Sequence, residues 1–449
     1  PESLRSQKKR DLTAVCDRGG SAERHGRYHR HHHWKHRDYN RWKTGWLKCY
    51  ANPDGSDRVL QCFCCHWPVL RLYAGKTGGK SESDRCAAER VNLHYHPSGG
   101  ILWKKEDHLE DFLIMKVVDM HCDTIAEIYE RRKKGESIDL RKNGLHLDLE
   151  KMKKGDYFLQ NFALFTALKN VERPFEHTCR LAETFYEEME ANKDLIGVVK
   201  TYDDIEENWK KGKMSALLTI EEGGVCQGDL MLLRFFYHLG VRMMTLTWNY
   251  PNELGYPNRL ASNSSYFPSN GADDTVLGLT EKGIQFVEEM EHLGMIVDVS
   301  HLNDAGFWDV IRYTKKPFVA SHSNARALVP DCPRDMTDDM IRALSERGGV
   351  AGINYFPPFL SAQDPKADRS AYQSRISDMI RHMKHMKQVG GIQCIGLGSD
   401  FDGIHGDLEM KDGSELPKLE WAMRKEGFTE SEIEAVFYGN VLRVYKEVL

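Results

Sequence analysis

From about residue 115 onward, short apolar runs alternate with longer amphipathic stretches. The runs are Lys116–Asp119, Asn161–Thr166, Ala216–Ile220, Met243–Thr247, Met295–Val299, Phe318–Ser321, Val350–Asn354 and Cys394–Gly398. Most are rich in Val, Ile and Leu and read as continuous apolar stretches, the pattern of parallel strands buried on both faces. Between them, helical spacing of apolar residues predicts helices over Cys179–Asn192, Leu230–Leu239, Glu281–Leu293, Ala305–Tyr313, Asp338–Glu346 and Tyr372–Val389. Gly240, Gly294 and Gly348 stand where three of these patterns stop, as helix-ending glycines do. Strand and helix repeated eight times predict a (β/α)8 TIM barrel over residues 115–449. The alternative, an open doubly wound sheet, usually carries a Gly-rich phosphate loop after its first strand. Here that position reads His121-Cys122-Asp123.

Residues 1–114 show neither period. The run His29-Arg30-His31-His32-His33-Trp34-Lys35-His36-Arg37 typifies them. They are expected to form a poorly structured extension, or to be sequence upstream of a natural start at Met115. Cys62, Cys64, Cys65 and His66 offer metal-ligand chemistry, but they lie too close together for the usual two separated ligand pairs of structural zinc. The His/Arg run reads as a solvated basic tail.

Composition narrows the function classes. The chain has 41% hydrophobic and 29% charged residues and a formal net charge of −5, so no global basic field favours nucleic acid. No run approaches the roughly 18–20 apolar residues of a membrane span, and neither end carries a leader or lipid-anchor pattern. The expectation is a cytoplasmic protein that engages neither membrane nor nucleic acid, with a homodimer left open. The 11 cysteines are odd in number and irregularly spaced, which argues against a disulfide framework.

The chemistry collects where the strands end. In a barrel, the C-terminal ends of the strands face the active site. The first run ends in His121-Cys122-Asp123, the third in Glu221-Glu222, the fifth in Ser300-His301, the sixth in Ser321-His322 and the eighth in Ser399-Asp400-Phe401-Asp402. Positions i and i+2 of an extended chain point the same way, so His121 and Asp123 can reach one ion. His301 and His322 follow consecutive strands, which are usually neighbours. Imidazoles and carboxylates together suit zinc, and a carboxylate from the third strand could bridge two ions.

These stretches resemble the membrane (renal) dipeptidase family, metallopeptidase family M19 of the amidohydrolase superfamily. The matching segments are VVDMHCDT at 117–124, LLTIEEGG at 217–224, LGVRMMTLTWN at 239–249, VDVSH at 297–301, ASHSNARAL at 320–328, GINYFPPF at 352–359, IGLGSDFDG at 395–403 and YGNVLRV at 438–444. The resemblance spans 115–449 and implies a metal-dependent hydrolase barrel with two Zn2+ per chain. It assigns His121 and Asp123 to one zinc, His301 and His322 to the other, and a glutamate to both. Glu221 is preferred over Glu222 for that bridge. Asp400 would move the proton from the attacking water to the leaving amine, and Asp402 would hold a turn or support the ligands. Arg334, with Arg326 as competitor, would hold the carboxylate of a small peptide substrate. Trp248 stands where the family has a substrate-contacting histidine, and indole carries no charge there. The implied reaction is hydrolysis of dipeptides by a metal-bridging hydroxide, including dipeptides with a D-residue. Hydrolysis of another small amide or a lactone is the alternative.

Overall fold

The computed structural model describes residues 116–258, 277–364 and 366–449, together with four short strands before them. Those early strands form two antiparallel pairs, Val59–Cys62 with Leu70–Tyr73 and His94–Tyr95 with Ile101–Leu102. The rest of 1–114, including Cys64, Cys65 and His66, lies outside the described residues, as do Tyr266 and Phe267.

Eight parallel strands close into a barrel. They are β1 Val117–Asp119, β2 Tyr157–Phe165, β3 Met214–Glu221, β4 Met243–Thr245, β5 Ile296–Asp298, β6 Val319–Ala320, β7 Val350–Ile353 and β8 Ile395–Leu397. Closure runs from β8 back to β1 through the pair Leu397↔Asp119. The long β2–β3 ladder sets Phe165 opposite Glu221. An added strand, Ile196–Val199, pairs with the start of β3. It interrupts the expected simple alternation because the segment from Tyr202 to Lys210 folds as its own helix before β3 begins.

Each strand follows the period-two rule of a pleated sheet. Leu217, Met243, Ile296, Val319 and Val350 share a core inside the barrel, while Ala216, Leu218, Met244, Val297, Ala320 and Ala351 pack outward under the helices. Met120 also fills the interior. A Cβ on Gly352 would come within 2.1 Å of the Ser321 backbone oxygen, so glycine is needed at this close approach of β6 and β7. The closing helix Asn440–Val448 supplies Val441, Val444, Tyr445 and Val448 to that same core. Their i, i+3, i+4, i+7 spacing is one helical face. The Tyr445 hydroxyl is buried against the Asn161 side chain, which satisfies both polar groups.

Helices fill the connections. The predicted helix at 179 begins earlier, at Pro174, because proline is favoured in the first helical turn. The stretch expected as helix from Tyr372 first makes a short strand, Gln373–Ser374, paired with Asp407–Leu408, and becomes helical at Ile376. Gly240, Gly294 and Gly348 all take positive φ at helix ends, as their positions in the pattern require.

Candidate metal centre

Glu221 is the last residue of β3 and lies two and four positions beyond Thr219 and Leu217 on the inward-facing side of the pleat. Its carboxylate ends in a ring of imidazoles. Oε2 is 3.3 Å from His121 Nε2, while Oε1 is 3.0 Å from His301 Nε2 and 3.6 Å from His322 Nε2. The His121 and His322 rings stack at 3.9 Å. Asp123 Oδ2 stands 3.7 Å and Asp400 Oδ1 4.0 Å from His121 Nε2. Thus the structure brings together His121, Asp123, Glu221, His301, His322 and Asp400 from the ends of five strands. Glu222 turns elsewhere. Its carboxylate accepts from Gly224 N, Trp248 N and the Asn252 amide, tying the loops after β3 and β4. Burial pushes its pKa up to about 7 despite those donors.

The tautomers can be read from the hydrogen bonds. His322 Nδ1 is 2.7 Å from Ser321 Oγ, and that hydroxyl donates to Asp298 Oδ2 at 2.6 Å. His322 Nδ1 therefore carries the proton and Nε2 presents a lone pair. His301 Nδ1 is 3.0 Å from Asn249 Oδ1, which leaves its Nε2 unprotonated as well. Yet the two Nε2 atoms face one another at 3.0 Å. Burial, then the nearby Arg334 cation, holds the His301 pKa down to about 4; burial and the neighbouring His121 lower that of His322. Two lone pairs and a carboxylate oxygen converging in a buried space form a cation-binding arrangement, not a hydrogen-bonded core. His121 differs. Burial opposes its charge, but Glu221 and then Asp123 outweigh this and raise its pKa. Its buried ring nitrogens and Asp123 Oδ1 make no hydrogen bond of good geometry. These orphaned atoms fit a metal as their missing partner.

Backbone strain gathers at the same place. His301, Asp400, Asp402 and Glu222 all have positive φ, which non-glycine residues seldom adopt and which clusters at functional sites. Asp400 Oδ2 is held by the Asn354 amide at 2.9 Å. Burial raises its pKa in spite of His121, and Asp123 and Glu221 add to the rise. Asp402 points away from the cluster. It accepts from Thr124 Oγ1 at 2.6 Å and from His146 N at 2.7 Å, so it fastens the loop after β8 to the loops after β1.

The cluster opens into a cavity of about 740 Å³, lined among others by Phe165, Trp248, Asn249, Phe356 and Phe359. Trp248 packs edge-on to Phe165 at 4.9 Å and forms part of this rim. Arg334 is buried and does not line the cavity. It donates to the His322 carbonyl and to Ser323 Oγ, and its guanidinium carbon lies 5.4 Å from the Phe359 ring centre. Its Nε has no hydrogen-bond partner among the described residues. Arg326 is committed elsewhere, forming a two-toothed pair with Asp304 at 2.6 and 2.7 Å. The supporting residues Asn249, Asp298, Ser321 and Asn354 were not anticipated from sequence. The repeated Ser-His at 300–301 and 321–322 was their one visible trace.

The family model of the membrane dipeptidases, peptidase family M19, matches residues 112–449. The chain belongs to this family. An uncharacterised dipeptidase of Schizosaccharomyces pombe is 33% identical over 349 residues, covering 74% of this chain and 80% of that protein. Among solved structures, a family M19 dipeptidase matches with a TM-score of 0.66 and 27% identity, covering 75% of this chain and 99% of the other. A metallopeptidase of Rhodobacter sphaeroides, liganded with a phosphinate mimic of L-Ala-D-Ala, matches equally well at 26% identity, covering 75% of this chain and 100% of that one. Membership of M19 makes this chain a metal-dependent dipeptidase with a (β/α)8 barrel and a peptide substrate.

Proposed function

We propose that the chain hydrolyses dipeptides at two zinc ions held by His121 and Asp123 on one side, by His301 and His322 on the other, and by Glu221 between them. The observation that carries this reading is the meeting of the His301 and His322 Nε2 atoms, 3.0 Å apart, beside one oxygen of Glu221, with His121 at the other oxygen. Such a pair of ions would supply a water-derived nucleophile at neutral pH and Lewis-acid polarisation of the scissile carbonyl.

The chain's own groups do the rest. Asp400, steadied by Asn354, offers Oδ1 toward the cluster and carries a proton from water to the leaving amine. A carboxyl whose pKa is lifted toward neutrality suits both halves of that transfer. Arg334, whose guanidinium carbon lies 5.4 Å from the ring of the cavity-lining Phe359, would pair with the substrate carboxylate. Trp248 and Phe165 form an apolar wall that excludes water. The phosphinate complex of the Rhodobacter sphaeroides relative supports dipeptides with a C-terminal D-residue as substrates here.

The test uses the full chain. Zinc is removed, metal content is verified, and turnover is followed on L,L- and L,D-dipeptides beside N-acyl amides and lactones. Turnover of dipeptides that disappears without zinc and returns with it is expected. Undiminished turnover in verified metal-free protein would overturn the mechanism, and turnover of lactones alone would overturn the substrate.

A further inference from the structure

We infer that Asp298, acting through Ser321, is a positioning residue that sets His322 as a metal ligand, with Asn249 doing the same for His301. The Nδ1 atoms of these two histidines are therefore held from behind by hydrogen bonds that the His121 ring lacks. The inference rests on the two-ion reading above.

Asp298 ends β5 on the inward face, directly beneath the cluster. It accepts four hydrogen bonds: from Ser300 N at 3.0 Å and Ser321 N at 2.8 Å on Oδ1, and from Thr245 Oγ1 and Ser321 Oγ, both at 2.6 Å, on Oδ2. All of these residues are buried. Ser321 Oγ has one proton and gives it to Asp298, so toward His322 it can only accept. That fixes the proton on Nδ1 and turns the Nε2 lone pair toward Glu221. The His322 backbone N–H is pinned as well, donating to Ser300 Oγ at 3.1 Å. Partners of this kind, one step behind a ligand, typically change metal affinity by about 10–100-fold. No such partner meets His121 Nδ1 among the described residues.

Asp298→Asn should do more than remove a charge. The new amide can donate to Ser321 Oγ, whose own proton then turns to His322 Nδ1. The imidazole proton moves to Nε2, and the lone pair faces the wrong way. A carboxylate-to-amide change that reverses a histidine tautomer is a known consequence of this chemistry.

The experiment follows zinc affinity ion by ion, using a competing chelator with the full-length chain, its Ser321→Ala and Asp298→Asn variants, and Asn249→Ala. The last of these lies at the cavity edge, where loss of the side chain leaves the core intact. Nitrogen chemical shifts of His322 in the metal-free protein report the tautomer. The wild type should take two ions. Each variant should hold one with unchanged affinity and the other about 10–100-fold more weakly, and Asp298→Asn should move the His322 proton to Nε2. Equal loss of both ions, or none, overturns the inference, as does an unchanged tautomer in Asp298→Asn. If Ser321→Ala and Asp298→Asn do not fold, Asn249→Ala decides by the same affinity criterion. A wild-type chain that never takes a second ion overturns the two-ion reading and this inference with it.

Discussion

Asp335 follows the guanidinium proposed to hold substrate, and its carboxyl is fully buried with neither oxygen in a hydrogen bond of good geometry. Burial drives its pKa from 3.8 up to about 8, against the opposing pull of Arg334. The folded protein therefore keeps a proton that the unfolded chain gives up at lower pH. Where the folded state binds more protons, stability falls as pH rises. The loss begins near the unfolded pKa of about 4 and ends near 8. At pH 7 about three of those units have been crossed, at roughly 1.4 kcal/mol each, which costs about 4 kcal/mol. Asp335→Asn removes the titration but leaves an amide to satisfy, at about 1–3 kcal/mol. The variant should thus be more stable than the parent at pH 7 by about 1–3 kcal/mol, an advantage that shrinks by roughly 1.4 kcal/mol for each pH unit below that. Urea unfolding of both metal-loaded proteins, compared between about pH 5 and pH 8, isolates the effect because every other titrating group is common to both. A difference that stays flat with pH, or a variant less stable throughout, would refute the reasoning. The consequence for function is that a neutral Asp335 leaves the charge of Arg334 unspent.

Three further outcomes are expected. Asp400→Asn should lose about 10²–10⁴-fold in kcat while retaining its metal, as checked by steady-state kinetics beside metal analysis. Zinc uptake should release protons at pH 7, because Glu221 and Asp123 outweigh burial to keep His121 protonated in the metal-free site. His301 and His322 are already neutral there, so calorimetry in buffers of different ionisation enthalpy should assign the release to one ion, whose affinity rises about tenfold per pH unit until His121 deprotonates. Asp402→Ala should cost about 2–4 kcal/mol in unfolding free energy, since its side chain is 2% exposed and its loss frees Thr124 Oγ1 and His146 N together.

Much of this arrangement is legible without coordinates. Apolar runs broken by helical patterns define the barrel because buried parallel strands need apolar residues on both faces. Placing His121, Glu221, His301, His322 and Asp400 at strand ends follows from the same pattern, since every parallel strand delivers its C-terminal end to one mouth. The added strand at Ile196–Val199 was missed because Ile-Gly-Val-Val is too short to separate from a loop by period alone.

What the linear chain decided, then, is which residues lie at the strand ends and how strands and helices alternate around them. It could not decide between neighbours such as Glu221 and Glu222. That choice belongs to the pleat, which sends successive side chains to opposite sides, and to the register that sets Phe165 and Thr245 beside Glu221. Nor could it separate Arg334 from Arg326, because only folding brings Asp304 within reach of Arg326 and leaves Arg334 against Phe359. The proton on His322 is likewise a tertiary matter, set by a carboxylate that the chain reaches only when β5 and β6 lie side by side. Local sequence carries period and propensity, whereas the direction of a lone pair depends on partners that meet only after the barrel closes.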